Sequence, residues 1–384
     1  MLQSLDMPNH QDLIEILLQN RGIEKENWEK FLNPSYEDDL VDPFLLNDME
    51  KAVVRIFEAT EANEKIIIYS DYDSDGIPAS VIMHDFFKKI GFENFSVYIP
   101  DRYDEGYGLY KEIIDTFIKD KVDLLITFDL GITAVSEVAK AEASGMNVII
   151  TDHHLPQAEV PRAYAIIDPK LEIDKKIKTT KKDNEEKQKG YQELCGAGIA
   201  FRLVQALIKK YGDYWKINTG WEKWLLDMAG LATIADQVPL LEENRVLAFY
   251  GLKVLRKGRR PGLAELLKKA GIDITKLNEE DIAFTLAPRI NAASRMASPM
   301  LAFETLSTDD PAKARSLADE LSKINDDRKY LVANIMKEAN KTLKKREIND
   351  VIVIGNPKWR VGVLGIVASK IVDEYKKPVF VWGA

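Results

Sequence analysis

The chain has 384 residues, 46% of them hydrophobic, with a formal charge of −9 and a pI near 5.3. That length is too great for one core and implies two or more domains, while the acidic balance is the wrong sign for a nonspecific nucleic-acid binder. A single cysteine, Cys195, excludes an intrachain disulfide and a cysteine-rich zinc site, and its apolar, glycine-flanked setting reads as core packing. No segment reaches the roughly 18 apolar residues of a membrane span, and the N-terminus lacks the basic and apolar regions of a secretory signal, so a cytoplasmic protein is expected.

Residues 1–50 read as an N-terminal segment of short helices, with helical spacing over 12–18 and breaks at Pro34 and Pro43. From 51 onward apolar runs at 65–71, 95–100, 124–129, 147–152 and 163–168 alternate with amphipathic stretches near 76–90, 108–119 and 133–144. Near-continuous apolar strands separated by helices predict an α/β domain with a parallel five-stranded sheet covered by helices on both faces. Residues 171–192 form a polar, mixed-charge run expected to be a mobile insert. The pattern from 196 to 310 is helical, with one helical run from Trp221 ending at Asp236. Thr308-Asp309-Asp310-Pro311 then opens a long polar linker helix over 310–348. Strands at 350–354 and 378–382 around a helix at 362–376 predict the first βαβ unit of a second α/β domain, 349–384, inside which the chain stops; a truncated chain is expected. The organisation is thus 1–50, 51–309, linker and second domain.

Three of the predicted strands end in acids or imidazoles. Ile66-Ile67-Ile68-Tyr69 leads into Ser70-Asp71-Tyr72-Asp73-Ser74-Asp75-Gly76, Leu124–Phe128 into Asp129-Leu130-Gly131, and Ile149-Ile150-Thr151 into Asp152-His153-His154. Ligands of open α/β sheets gather at the carboxyl ends of strands. Carboxylates and imidazoles delivered to one rim, with no neutralising partner nearby, call for Mn²⁺ or Mg²⁺. Asp-x-Asp-x-Asp-Gly also opens calcium loops, but a strand precedes it and the twelfth position is Ile82 rather than Glu.

Asp73-Ser74-Asp75-Gly76, Asp129 and Asp152-His153-His154 resemble the first three motifs of the DHH phosphoesterases. Within that superfamily the chain is similar to the RecJ single-strand-specific exonucleases. Arg102–Leu109 (RYDEGYGL), Leu194–Gly198 (LCGAG), Thr233–Leu240 (TIADQVPL) followed by Glu243-Asn244-Arg245, Pro288–Met296 (PRINAASRM) and Trp359–Ser369 (WRVGVLGIVAS) carry the likeness across residues 66–380. Such sequences usually have His where Arg360 stands and Gly where Ser294 stands. The resemblance implies a DHH catalytic domain at 51–309 and an incomplete accessory domain (DHHA1) at the C-terminus, without its glycine-rich substrate motif. It also implies a 5′-to-3′ exonuclease on single-stranded DNA that serves repair and recombination. A monomer that meets repair or replication proteins is expected. A DHH phosphodiesterase of short oligoribonucleotides or cyclic dinucleotides is the second reading, and an inactive scaffold in a replication assembly the third.

The chemistry would follow from two divalent ions about 4 Å apart, which screen the phosphodiester's charge and lower the pKa of a bound water. The expected ligands are Asp73, Asp75, Asp129, His153 and His154, with Asp236 added by the resemblance. Asp129, alone at its strand end, is the candidate bridge. His154 is a ligand or the proton donor to the leaving oxygen. Asp71 and Asp152 are expected to orient ligands, and Asp168, before Pro169, to be a turn carboxylate rather than a ligand. Arg102, Arg289 and Arg295, with Asn291, are the candidates for holding phosphate. The basic run Lys253–Arg260 reads equally well as a solvated helix end or a phosphate contact.

Overall fold

Short, largely apolar runs rich in β-branched residues make the central sheet: β1 (Ile66–Ser70), β2 (Phe95–Tyr98), β3 (Leu124–Phe128), β4 (Asn147–Thr151) and β5 (Ala165–Ile167). In the computed structural model, which describes residues 10–171 and 193–384, these strands are all parallel in the order β2-β1-β3-β4-β5. The expected five-stranded parallel sheet is therefore present. The strand expected at 95–100 stops at Tyr98, and that expected at 163–168 is confined to Ala165–Ile167. The insert at 171–192 lies outside the described residues except for Leu171.

Helices cover both faces. After α1 (His10–Asn20) and the short α2 (Trp28–Leu32) come α3 (Met49–Glu61), α4 (Gly76–Ile90), α5 (Lys111–Lys119) and α6 (Val135–Ala143). Helix α5 starts three residues later than its sequence pattern suggests. Gly108 is at positive φ, and its carbonyl oxygen accepts from the Tyr69 hydroxyl at 2.9 Å, which keeps 108–110 outside the helix.

The helical region contributes α7 (Gly196–Tyr211), α8 (Leu226–Ala235), α9 (Glu242–Leu255), α10 (Pro261–Lys269), α11 (Ala287–Met296) and α12 (Met300–Ser307). The run expected from Trp221 is a 3₁₀ turn at Trp221–Leu225 followed by α8. These helices share one core with a sheet face and with N-terminal residues Tyr36, Leu46 and Met49. A buried pair fastens the N-terminal segment: Arg202 and Glu243 lie 3.5 Å apart, and both bond the Val41 peptide.

Helix α13 (Pro311–Leu343) has 33 residues, about 50 Å at 1.5 Å per residue. Asp310 caps it by accepting from the Ala312 and Lys313 amides, with Pro311 at its first position. Its later turns share a separate core with β6 (Ile352–Gly355), α14 (Leu364–Tyr375) and β7 (Val379–Trp382). The small residues of α11 lie inside the fold: Ala292, Ala293 and Ser294 are buried, and α11 packs against α13. They are packing residues that let two helices approach.

Helices α8 and α9 cross at two glycines, and a Cβ at Gly230 would stand 2.6 Å from Gly251 Cα and 2.8 Å from the Leu247 carbonyl oxygen. Because α8 ends at Asp236, this crossing also fixes that carboxylate. Gly230→Ala should cost about 1–3 kcal/mol through overpacking, read as a lower urea midpoint. An unchanged midpoint would mean that the two helices part freely.

Candidate metal centre

The register aligns Ser70, Phe128, Thr151 and Ile167 across β1, β3, β4 and β5. The next residue of each strand is an aspartate, so Asp71, Asp129, Asp152 and Asp168 stand side by side along one rim. Backbone bonds continue the ladder through this row: the amides of Asp71, Asp129 and Asp152 donate to the carbonyls of Phe128, Thr151 and Ile167. The row straddles β1 and β3, where strand order reverses and open α/β sheets form their ligand crevice.

Local geometry then aims each side chain. Asp73 Oδ1 accepts from the amides of Asp75 and Gly76 at 2.8 and 3.1 Å and so opens α4. Asp75 is gripped by the start of α7: its two oxygens accept from the Gly196 and Ala197 amides at 2.6 and 2.8 Å. A carboxylate at a helix N-terminus meets unpaired N–H groups and the positive end of the dipole. Asp129 is held at φ +63°, in the left-handed region that Asp tolerates better than most residues. Gly196 makes the convergence possible, since a Cβ there would lie 2.6 Å from Asp129 Cβ.

Three overlapping groups result, each with ligand atoms within 4.8 Å of one another: Asp71, Asp73 and Asp129; Asp129, His153 and His154; and Asp75, His153 and Asp236. All six expected ligands fall within these groups, and Asp129 and His153 each belong to two. Asp71, expected to orient ligands, also belongs to one of these groups. Asp152 orients: its Oδ1 accepts from the His153 and His154 amides and lies 2.8 Å from His154 Nδ1, and its Oδ2 accepts from the Ile132 amide. Asp168 Oδ1 accepts from the Lys170 amide in a turn, as expected, though its Oδ2 is buried without a donor.

The electrostatics are those of acids crowded out of water. Burial, then Asp73, pushes the Asp71 carboxyl up to about 8. Burial raises Asp129 well above the usual range with help from Asp75 and Asp73, raises Asp75 itself, and lifts Asp236 and Asp168 to about 7. Asp152 lies below the usual value despite its burial, because His154 and the Ile132 amide donate to it. Burial lowers His153, whereas the bond to Asp152 raises His154.

The donor set fits divalent cations. Asp71 Oδ1 and Asp129 Oδ1 are buried with no hydrogen-bond donor. His153 Nε2 comes within 3.0 Å of Asp129 Oδ1 without the alignment of a hydrogen bond. Neighbouring ligands of a six-coordinate ion at 2.1 Å are about 3 Å apart, so lone pairs facing one another at this distance are the arrangement a metal requires.

The phosphate candidates separate into two sets. Arg102 lies over the Tyr72 ring at 5.3 Å, and Asn291 Nδ2 donates to Ser74 Oγ at 3.2 Å, inside the Asp73–Asp75 turn. Burial lowers the Arg295 guanidinium, and the like charges of Arg102 and Arg328 lower it further, partly offset by Tyr72 and Asp73. Arg289 stands apart, bonded to the Thr285 carbonyl oxygen. Sequence reasoning assigned no role to Gly196, nor to Tyr107, whose hydroxyl is 3.5 Å from His154 Nε2; both lie in motif stretches that offered a signal.

Residues 65–233 match the family model described as "DHH family, N-terminal domain". The single-stranded-DNA-specific exonuclease RecJ of Bacillus subtilis is 37% identical over 376 residues, 97% of this chain and 44% of its own length. That of Escherichia coli is 34% identical over 345 residues, 87% of this chain and 58% of its own. A crystal structure of exonuclease RecJ bound to manganese superposes with a TM-score of 0.75 at 32% identity, covering 88% of this chain and 80% of that one. This chain belongs to the RecJ family of DHH phosphoesterases. It spans about half the length of the curated RecJ relatives. RecJ of Thermus thermophilus, solved in complex with Mn²⁺, superposes with a TM-score of 0.78 at 28% identity. No helix among the described residues is long and apolar enough to cross a membrane.

Two outcomes follow from the crowded acids. Without a cation, burial pushes Asp71 up to about 8 and Asp168 and Asp236 up to about 7, well above an unfolded aspartate at about 3.9. The folded chain therefore binds more protons than the unfolded one, and stability must fall as pH rises from about 5 to about 8. His154, also raised, works in the same direction, and His153, lowered, opposes it at the acid end. Saturating Mn²⁺ should abolish or reverse the slope, because the cation displaces those protons; melting curves at about pH 6 and pH 8.5 with and without the metal decide it.

Asp129→Asn keeps the shape and tolerates positive φ while removing one charge. The metal-free protein should gain roughly 1 kcal/mol, about 2–4 °C in Tm, and lose the Mn²⁺-induced rise. A variant that keeps the full Mn²⁺ response would place Asp129 outside the metal set.

Proposed function

We propose that the chain is the catalytic part of a single-stranded-DNA exonuclease that hydrolyses phosphodiester bonds with two bound Mn²⁺ or Mg²⁺ ions and releases nucleotides from the 5′ end. The observation that carries this reading is the overlap of three ligand groups through Asp129 and His153, in a chain similar over nearly its whole length to RecJ exonucleases.

Asp71, Asp73 and Asp129 would hold one cation, and Asp75, His153 and Asp236 the other, with Asp129 Oδ1, 3.0 Å from His153 Nε2, standing between the two groups. Bound there, the pair would screen the phosphate's charge and lower the pKa of an attacking water. The protein's own groups supply the rest. His154 donates Nδ1–H to Asp152, which fixes the tautomer and raises its proton affinity. Its half-exposed ring, with its proton affinity raised by that bond, can pass a proton from Nε2 to the leaving oxygen. Arg102 and Arg295 hold the terminal phosphate, and Tyr72 and Tyr107, in edge-to-face contact, wall the same mouth.

With Mn²⁺, a 5′-labelled single strand should lose its label as mononucleotide from the first time points, and a 3′-labelled one only late. Duplex DNA should resist, and EDTA should stop the reaction. Preferential hydrolysis of short oligoribonucleotides or cyclic dinucleotides over long DNA would replace this reading with that of a small-substrate phosphodiesterase.

A further inference from the structure

Arg260 closes the basic run Lys253–Arg260, yet its side chain is largely buried and makes neither a solvated helix end nor a phosphate contact. All three of its guanidinium nitrogens are engaged. Nε and Nη2 donate to the two oxygens of Asp227 at 2.7 and 3.2 Å, Nη2 also lies 2.8 Å from Asp85 Oδ2, and Nη1 donates to the Leu306 carbonyl oxygen at 3.1 Å. The backbone is built to bring it there. Pro261 opens α10, and Gly262 is pressed so closely on α12 that a Cβ would overlap the Thr305 carbonyl oxygen. Burial raises Asp227 and Arg260 opposes that rise, while Asp85 lies below the usual carboxylate range despite burial, because Arg260 and His84 both favour its charge. A guanidinium forked between two desolvated carboxylates is a directional joint.

The two helices joined in this way are the ones that meet at the metal centre. Asp75 immediately precedes α4, and Asp85 lies on the same helix about 15 Å further along. Asp227 is in the first turn of α8, and Asp236 caps its far end about 14 Å away. Asp75 and Asp236 fall in one ligand group with His153. Helices α4 and α8 pack together and run in opposite directions, so the pair is bridged twice, by cation ligands at one end and by Arg260 at the other. Between these ends the contact is largely apolar, with every residue of α8 from Leu226 to Ile234 buried. Apolar burial is non-directional, whereas the forked guanidinium allows one register.

We propose that Arg260 is a positioning residue for the metal centre: by joining Asp85 of α4 to Asp227 of α8 it sets the register of the two helices, and with it the spacing of Asp75 and Asp236. The proposal rests on the two-cation reading and makes the two sites unequal. The Asp75–His153–Asp236 site depends on a joint at the far ends of its helices. Asp71, Asp73 and Asp129 follow the paired strands β1 and β3 and include nothing from α8, so that site is held without it.

Arg260→Ala would strand two buried carboxylates, so the test uses milder changes. Asp227→Asn keeps the shape and removes the charge, and Arg260→Lys keeps the charge and removes the fork. Val53→Ala, on α3 in the same core, is the control for a general loss of stability, and melting shows which variants are folded. Mn²⁺ binding is read without substrate, from the electron paramagnetic resonance signal of the free ion. The wild type should bind two ions. In Asp227→Asn and Arg260→Lys one of them should weaken about tenfold and the other change by less than about twofold, while Val53→Ala leaves both in place. With Asp71→Asn added, the remaining ion should keep the tenfold loss; with Asp236→Asn added, the remaining ion should not respond to Asp227→Asn. Equal loss at both ions, unchanged binding in the folded variants, a response that survives Asp236→Asn, or failure of both variants to fold where Val53→Ala folds makes Arg260 a residue of general stability and overturns the proposal. A wild type that binds fewer than two ions overturns the two-cation reading, and the proposal with it.

Discussion

Repulsion among carboxylates at the ends of β1, β3 and β4 is the constraint around which the domain is arranged. Asp71, Asp75 and Asp129 are each almost wholly buried, and burial of like charges raises their proton affinity until cations or protons intervene. The protein holds the cluster by opposing that repulsion with elements that cannot easily yield. The sheet's own ladder fixes the row of aspartates, the start of α7 clasps Asp75, and the α8–α9 crossing fixes Asp236. The local instability is then available as affinity for divalent cations, in keeping with functional sites that are strained at the expense of fold stability.

The fold was legible where period and burial agree. Strands such as Ile66–Ser70 and Leu124–Phe128 are largely apolar because both faces are covered, and Pro311 with Asp310 announces α13. Strand order was not legible, since it depends on contacts between residues far apart in sequence. The ligand set could be read because each member follows an apolar run or sits in a dense motif. What escaped was register. That Asp71 aligns with Asp129, Asp152 and Asp168 follows only from strand pairing, and that alignment brings Asp71 into a candidate ligand group with Asp73 and Asp129.

The second core is attached through several small contacts as well as α13. Arg295 donates to the Gly362 carbonyl oxygen at 3.2 Å, Arg360 donates to that of Met296 at 2.8 Å and lies over the Tyr103 ring, and the Tyr103 hydroxyl donates to the Arg295 carbonyl oxygen. Arg360 thus acts as a tether across this junction. Arg295 joins the mouth of the metal centre to the second core directly, so the spacing between the two is set by a residue that also faces the reacting end.

The clasp on Asp75 is made of peptide N–H groups, and that has a consequence for how the centre is inherited. A carboxylate positioned by side-chain donors can be lost through drift at any of them. Here the donors belong to the backbone of α7, so the bond itself requires no particular side chain at 197, a buried core position, while at 196 a Cβ would strike Asp129. The hold on this ligand is passed on with the helix geometry and is largely insulated from sequence drift. Divergent chains can therefore keep the same centre while sharing few residues around it.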